Sequence, residues 1–159
     1  MIKSLYYWLL GCVLLLTLAG DPLTGAAQQT SNAALGDISG AYTFLREGEF
    51  VQLTVEDGKL SGYISRFGDS DSDKGQFIDQ FFDKTTLEGT RLSFNTKTVH
   101  GVWYDFSGVI STQPGKKPTE EGYHVIRGKL VEHTSDDSGK EKAMQKQVEL
   151  KSFPAEVNR

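Results

Sequence analysis

The chain has 159 residues, with 21 acidic and 17 basic side chains and a formal net charge of −4. A mildly acidic chain without a basic cluster excludes nucleic acid as its main partner. An apolar share of 38% with 11% aromatic residues belongs to a globular protein, not a disordered one.

The N-terminal segment reads as a secretory signal over residues 1–27. Lys3 supplies the positive start, and Leu5 to Ala19 is an apolar run shorter than a membrane span. Cleavage fits after Ala19 or, the preferred site, after Ala27. Leu9-Leu10-Gly11-Cys12 has the form of a lipidation box, but the apolar run continues through Val13 to Leu18, so lipid anchoring at Cys12 is not expected. Cys12 is the only cysteine, and the exported domain therefore has no disulfide. The expected location is periplasmic or secreted, with no transmembrane segment in the mature chain. Residues 28–38 read as a flexible polar spacer.

From residue 39 to 153 the pattern is all strand, with a tail at 154–159. Eight strands are predicted from alternating apolar and polar residues: 41–46, 49–56, 59–67, 76–83, 90–98, 101–111, 123–133 and 144–153. The sixth, GVWYDFSGVIS, sets Tyr104, Phe106 and Ile110 on one face and Trp103, Asp105 and Val109 on the other. Asp57-Gly58 is a two-residue turn signal, because both central residues of a type I′ turn need positive φ. That turn sets Val55 against Leu60, Leu53 against Gly62 and Val51 against Ile64, which places the apolar residues of both strands on one face. Val51, Leu53, Val55, Leu60, Ile64, Leu92, Phe94, Phe106, Val148 and Leu150 form the expected core.

Eight sequential strands with short connections make an antiparallel up-and-down meander, which removes its edges by closing into a barrel. The opening Ile38-Ser39-Gly40-Ala41-Tyr42 resembles the Gly-x-Trp opening of the calycin barrels, with Tyr at the Trp position. Asp57 to Ile64, DGKLSGYI, resembles the second hairpin of avidins. The resemblance implies a small calycin-like barrel and transfers no ligand-contacting residue; an eight-stranded barrel has room for side chains or one small ligand.

The residues themselves offer three candidate sites. Asp69, Asp71 and Asp73 in GDSDSDKG have the spacing of a calcium loop, although its glycine falls one place late, at Gly75, and Gln80 stands where the bidentate glutamate belongs. His100 and His133 are expected near one rim, where two imidazoles could meet a transition metal. Arg66, Tyr104, Tyr123 and Arg127 fall in phase with apolar faces. An inward Arg beside tyrosines suits a carboxylate-bearing ligand, since guanidinium offers two parallel donors. The alternative for such inward polar groups is pairing with one another. No Gly-x-Ser-x-Gly elbow is present, and the mature domain has no cysteine nucleophile. The expected function is non-catalytic binding of a small or lipophilic molecule at a shallow site. A filled structural or protein-binding envelope module is the second class, and an enzyme of unknown type the third. Dense aromatic residues argue against a deep cavity, because an eight-stranded barrel has little interior volume.

Overall fold

The structure, a computed structural model, describes residues 35–69, 73–136 and 138–154. The secretory leader, both cleavage positions, Cys12 and Asp71 lie outside the described residues. Eight antiparallel strands follow in chain order: β1 (Gly40–Thr43), β2 (Phe50–Glu56), β3 (Lys59–Phe67), β4 (Phe77–Glu88), β5 (Arg91–Thr96), β6 (Val102–Thr112), β7 (His124–Ser135) and β8 (Glu141–Lys151). Among the described residues no helix is long and apolar enough to cross a membrane.

The β2–β3 hairpin has the register that its turn dictates, Val51 against Ile64, Leu53 against Gly62 and Val55 against Leu60. Asp57 and Gly58 take φ of 51° and 74°, as a type I′ turn requires. His100 and Gly101 make a second such turn, with φ of 50° and 72°. β4 and β8 reach well beyond one of their expected ends. β4 continues to Glu88 because Thr85 and Leu87 turn inward, half-buried, while Thr86 and Glu88 face water; the residues are polar, but the alternation is that of a strand. β8 begins at Glu141 because Thr134 pairs with Lys142 and Ser135 with Glu141, so the expected loop shrinks to residues 136–140.

The sheet curls until its first and last strands meet. They join through one bridge, Tyr42 to Ser152, with the Phe153 N–H donating to Ala41 O at 2.8 Å and the Lys151 N–H to Thr43 Oγ1 at 2.9 Å. β1 is four residues long and β8 eleven, so the seam above that bridge stays open.

Eight of the ten expected core residues are buried, and Val55 and Val148 pack against them half-buried. The interior is filled by rings. Phe82, Phe94 and Phe106 stack with centroids 4.0 and 5.1 Å apart. A cross-strand glycine pair, Gly108 opposite Gly128, makes the room. A Cβ on Gly128 would come within 2.3 Å of Ser107 O and 2.8 Å of the Phe106 ring, the kind of close approach that keeps glycine inside a strand.

One end of the barrel, called lower here, carries the turns at 57–58 and 89–90 and is plugged by the start of the described chain. Leu35 and Ile38 are buried there. The Tyr42 hydroxyl donates to Ile38 O at 2.7 Å, and His124 Nε2 donates to Leu35 O at 2.8 Å. Residues 35–38, expected within a flexible spacer, are therefore packed against the barrel: a short apolar pair in a polar stretch found a place in the core. The upper end carries the β1–β2 loop at 44–49, the β5–β6 turn at 97–101 and the described residues of the β3–β4 and β7–β8 connections.

Candidate functional site

The upper end concentrates the polar side chains that point inward. Glu49 precedes Val51 and Leu53 in the same phase, so β2 turns it inside, where it is 3% exposed. Its carboxylate is satisfied by donors from Arg46 Nε at 2.8 Å, the Arg46 N–H at 3.1 Å and the Phe67 N–H at 3.1 Å. Arg46 Nη2 lies 2.6 Å from the same carboxylate. A buried charge persists only when it is paired and hydrogen-bonded in this way.

Arg66 follows Leu60 and Ile64 along the inner face of β3 and is 2% exposed. Its Nε donates to Gln80 Oε1 at 2.5 Å and its Nη1 to Phe67 O at 3.1 Å. Gln80, fully buried, passes the connection on by donating to Lys97 O at 3.2 Å and Val102 O at 2.8 Å. This tethers β4 to the β5–β6 turn. The carboxylate partner of Arg66 is distant: Nη1 lies 3.5 Å from Asp69 Oδ2, and Asp69 also takes Arg46 Nη1 at 3.0 Å on its other oxygen. Arg66 is thus a buried cation held by a neutral amide and a carbonyl, with one shared, exposed carboxylate.

Tyr104, on β6, lies at the same end, within electrostatic reach of Arg66. The ring is 3% exposed and meets Phe44 edge-on at 5.5 Å. No described residue hydrogen-bonds its hydroxyl. Burial pushes its ionisation far above the ordinary tyrosine value; Glu132 adds to the rise, and the nearby Arg66 charge opposes it. Tyr104 opens into a cleft of about 430 Å³, walled by Leu45, Arg46 and Glu49 from the β1–β2 loop, by Asp69 after β3, and by Glu132 and Lys146 from β7 and β8. Lys146 Nζ pairs with Glu132 at 3.1 Å. The cleft therefore lies in the open seam between β1 and β8. It combines two cations and three carboxylates with the free hydroxyl of Tyr104, which suits a small polar ligand presenting an acceptor oxygen.

The four ligand-site candidates from the sequence do not converge. Arg66 and Tyr104 share the upper end. Tyr123 is half-buried at the opposite end, edge-on to His124 at 4.6 Å, lining a separate groove of about 770 Å³ with Tyr42 and Ser152. Arg127 is exposed on the outer face, paired with Glu149 at 2.8 Å. The inner phase of β7 is Ile126, Gly128 and Leu130, set by the glycine pair and the Phe106 ring, so Arg127 points away from the interior.

In the acidic loop, the Asp69 carboxylate lies between two arginines, and Asp73 Oδ2 lies 2.6 Å from His100 Nδ1. A calcium ion held by the loop would have to draw Asp69 from its two arginines and Asp73 from His100. His133 faces a different carboxylate, Asp105, at 2.8 Å and stacks on Trp103. Among the described residues no three His, Cys, Asp or Glu side chains converge as a metal site. The sequence reading missed Glu49, Glu132, Lys146 and Gln80. The signal was there: Glu49 shares the phase of Val51 and Leu53, and Lys146 that of Val148 and Leu150.

No protein-family model matches the chain, and no curated protein matches it. Among solved structures, the crystal structure of intact afifavidin in its apo form is similar, with a TM-score of 0.54 over 80% of this chain and 91% of that one, at 11% identity. The likeness is one of fold. With the eight-stranded antiparallel meander it gives the chain a calycin-like, avidin-type architecture.

Proposed function

We propose that the protein is an exported, non-catalytic barrel that holds a small carboxylate-bearing molecule in the upper cleft. Tyr104 would donate its hydroxyl to the ligand, and the Arg66 charge would balance the ligand's. The carrying observation is the pair itself: a free hydroxyl on a tyrosine only 3% exposed, within electrostatic reach of a buried guanidinium with one shared carboxylate. Among the described residues no fully buried side-chain polar atom lacks a partner, so the Tyr104 hydroxyl reaches the water of the cleft, which a ligand oxygen can replace. Apolar, lipid-sized ligands fit less well. The apolar recess at the lower end, lined by Leu35, Ile38, Val55 and Leu87, has a volume of only about 140 Å³, below the usual range of ligand pockets.

The test is thermal unfolding of the protein and of Tyr104→Phe against a panel of short mono- and dicarboxylates. The expected outcome is a concentration-dependent rise in Tm for some members. Tyr104→Phe alone should keep its unliganded Tm and bind about tenfold more weakly, the scale of one hydrogen bond to a charged group. If no carboxylate raises Tm, or if Tyr104→Phe binds equally well, the proposal falls. The second reading, a filled structural module, is favoured by the Phe82–Phe94–Phe106 stack. It expects no small molecule to raise Tm.

Export rests on the leader, with Lys3 ahead of the apolar run from Leu5 to Ala19. The intact mass of exported protein should correspond to a chain starting near Gln28 without lipid. A chain starting at Cys12 with an acyl increment would contradict it.

A further inference from the structure

The outer face of β3 and β4 carries a repeating pattern that the cleft does not use. In cross-strand register, Phe67 faces Phe77, Ser65 faces Asp79, and Tyr63 faces Phe81. The next outward residues are Ser61 and Asp83. Two ring pairs thus flank one serine–aspartate pair, in which Asp79 is exposed and Ser65 is buried beneath the face. The rings touch each other, at 4.5 Å for Phe67–Phe77 and 5.5 Å for Tyr63–Phe81, and yet Phe77 and Phe81 are 55% and 56% exposed. Beyond Tyr63–Phe81 the ladder between β3 and β4 stops, and β4 bulges at Phe82–Lys84. The gap leaves a recess of about 420 Å³, in which Tyr63 and Phe81 meet Ser61 and Asp83, while Thr85 Oγ1 donates to Leu60 O at 2.7 Å at its inner edge.

From this arrangement we infer that the outer face of β3–β4 is a carbohydrate-binding platform for a flat, β-1,4-linked pyranose chain. All-equatorial pyranoses present apolar C–H faces and a rim of hydroxyls. The faces match exposed rings, whose electron-rich surfaces attract C–H edges, and the rim matches carboxylates that need donors. Neither Asp79 nor Asp83 has a side-chain hydrogen bond or ion pair to any described residue. Two carboxylates in the middle of the ring patch run contrary to the loss of charge at the centres of protein interfaces. Sugar hydroxyls would satisfy them. An open sheet face also favours a ribbon-like chain over a coiled α-linked one. Exposed ring patches of this kind mark binding surfaces rather than ordinary solvent-facing residues.

The experiment uses cellohexaose and chitohexaose as probes and maltohexaose as the α-linked control, with binding read by titration calorimetry. One of the β-linked probes should bind, and the control should not. Phe77→Ala and Phe81→Ala should each weaken binding at least tenfold, and Asp79→Asn severalfold. Both phenylalanines are mostly in water, so the melting temperatures of these variants should stay near that of the parent. No binding of either β-linked probe at millimolar concentration would overturn the inference, as would binding unaffected by Phe81→Ala. Sedimentation at the same concentrations tests for a different occupant. A dimer that Phe81→Ala dissolves would show the face to be an interface between copies of the chain, and the inference would fall.

Discussion

Two tyrosines carry the most telling single-residue chemistry. Tyr42 and Tyr104 are 1% and 3% exposed, and burial, the largest cause in both, pushes their ionisation far above the ordinary tyrosine value of 10.0; Asp37 adds to the rise at Tyr42 and Glu132 at Tyr104. Their situations differ. The Tyr42 hydroxyl is committed to Ile38 O, whereas that of Tyr104 is free. Both keep their protons in the folded state at a pH where the unfolded chain releases them. Stability from this source is therefore complete below about pH 10 and declines as pH rises above it, by about 1.4 kcal/mol per pH unit for each tyrosine. A phenolate absorbance titration should show both rings ionising only with unfolding. Tyr42→Phe should reduce the alkaline slope by one proton. Two tyrosines titrating reversibly near pH 10 in the folded protein would contradict the burial described here.

At the scale of elements, the packed start of the chain is the feature most open to test. Leu35 and Ile38 enter the core, and their carbonyls accept from His124 and Tyr42. A chain starting at Ser39 loses two apolar side chains and leaves two buried polar groups short of a partner, each costing about 1–3 kcal/mol. Urea unfolding should place it about 3 kcal/mol or more below a chain starting at Gln28, by that same sum. Equal stabilities would mean that the segment is the spacer the sequence suggested. The elements show what could be read beforehand. Alternation and turn chemistry act locally, so the β2–β3 register and the inner face of β6 were legible from Asp57-Gly58 and from Tyr104, Phe106 and Ile110. Whether Arg127 points in or out depends on a partner strand and on Gly108 opposite Gly128, a contact with no local trace. The upper cleft was half legible for the same reason. Arg66 and Tyr104 stood out by phase, but the side chains that surround them come from four other stretches of chain and meet only when the sheet curls.

The whole molecule is a barrel with three different regions along its axis. Apolar side chains plug the lower end, stacked rings fill the middle, and polar groups line the upper end, where the β1–β8 seam is open. This division follows from strand length. β1 is too short to cover the upper part of β8, so that part of the interior meets water and is lined by ion pairs rather than by apolar residues. A ligand should therefore enter through the seam and leave the ring stack undisturbed. The most direct measurement is amide shift mapping of the labelled protein with the carboxylate that raises Tm most in the screen. Shifts should gather at Leu45 to Glu49, Asp69, Tyr104, Glu132 and Lys146, with Phe94 and the lower-end residues Leu35 and Ile38 unmoved. Shifts gathered at the lower end around Tyr42 and Tyr123, or spread through the ring stack, would contradict binding in the seam.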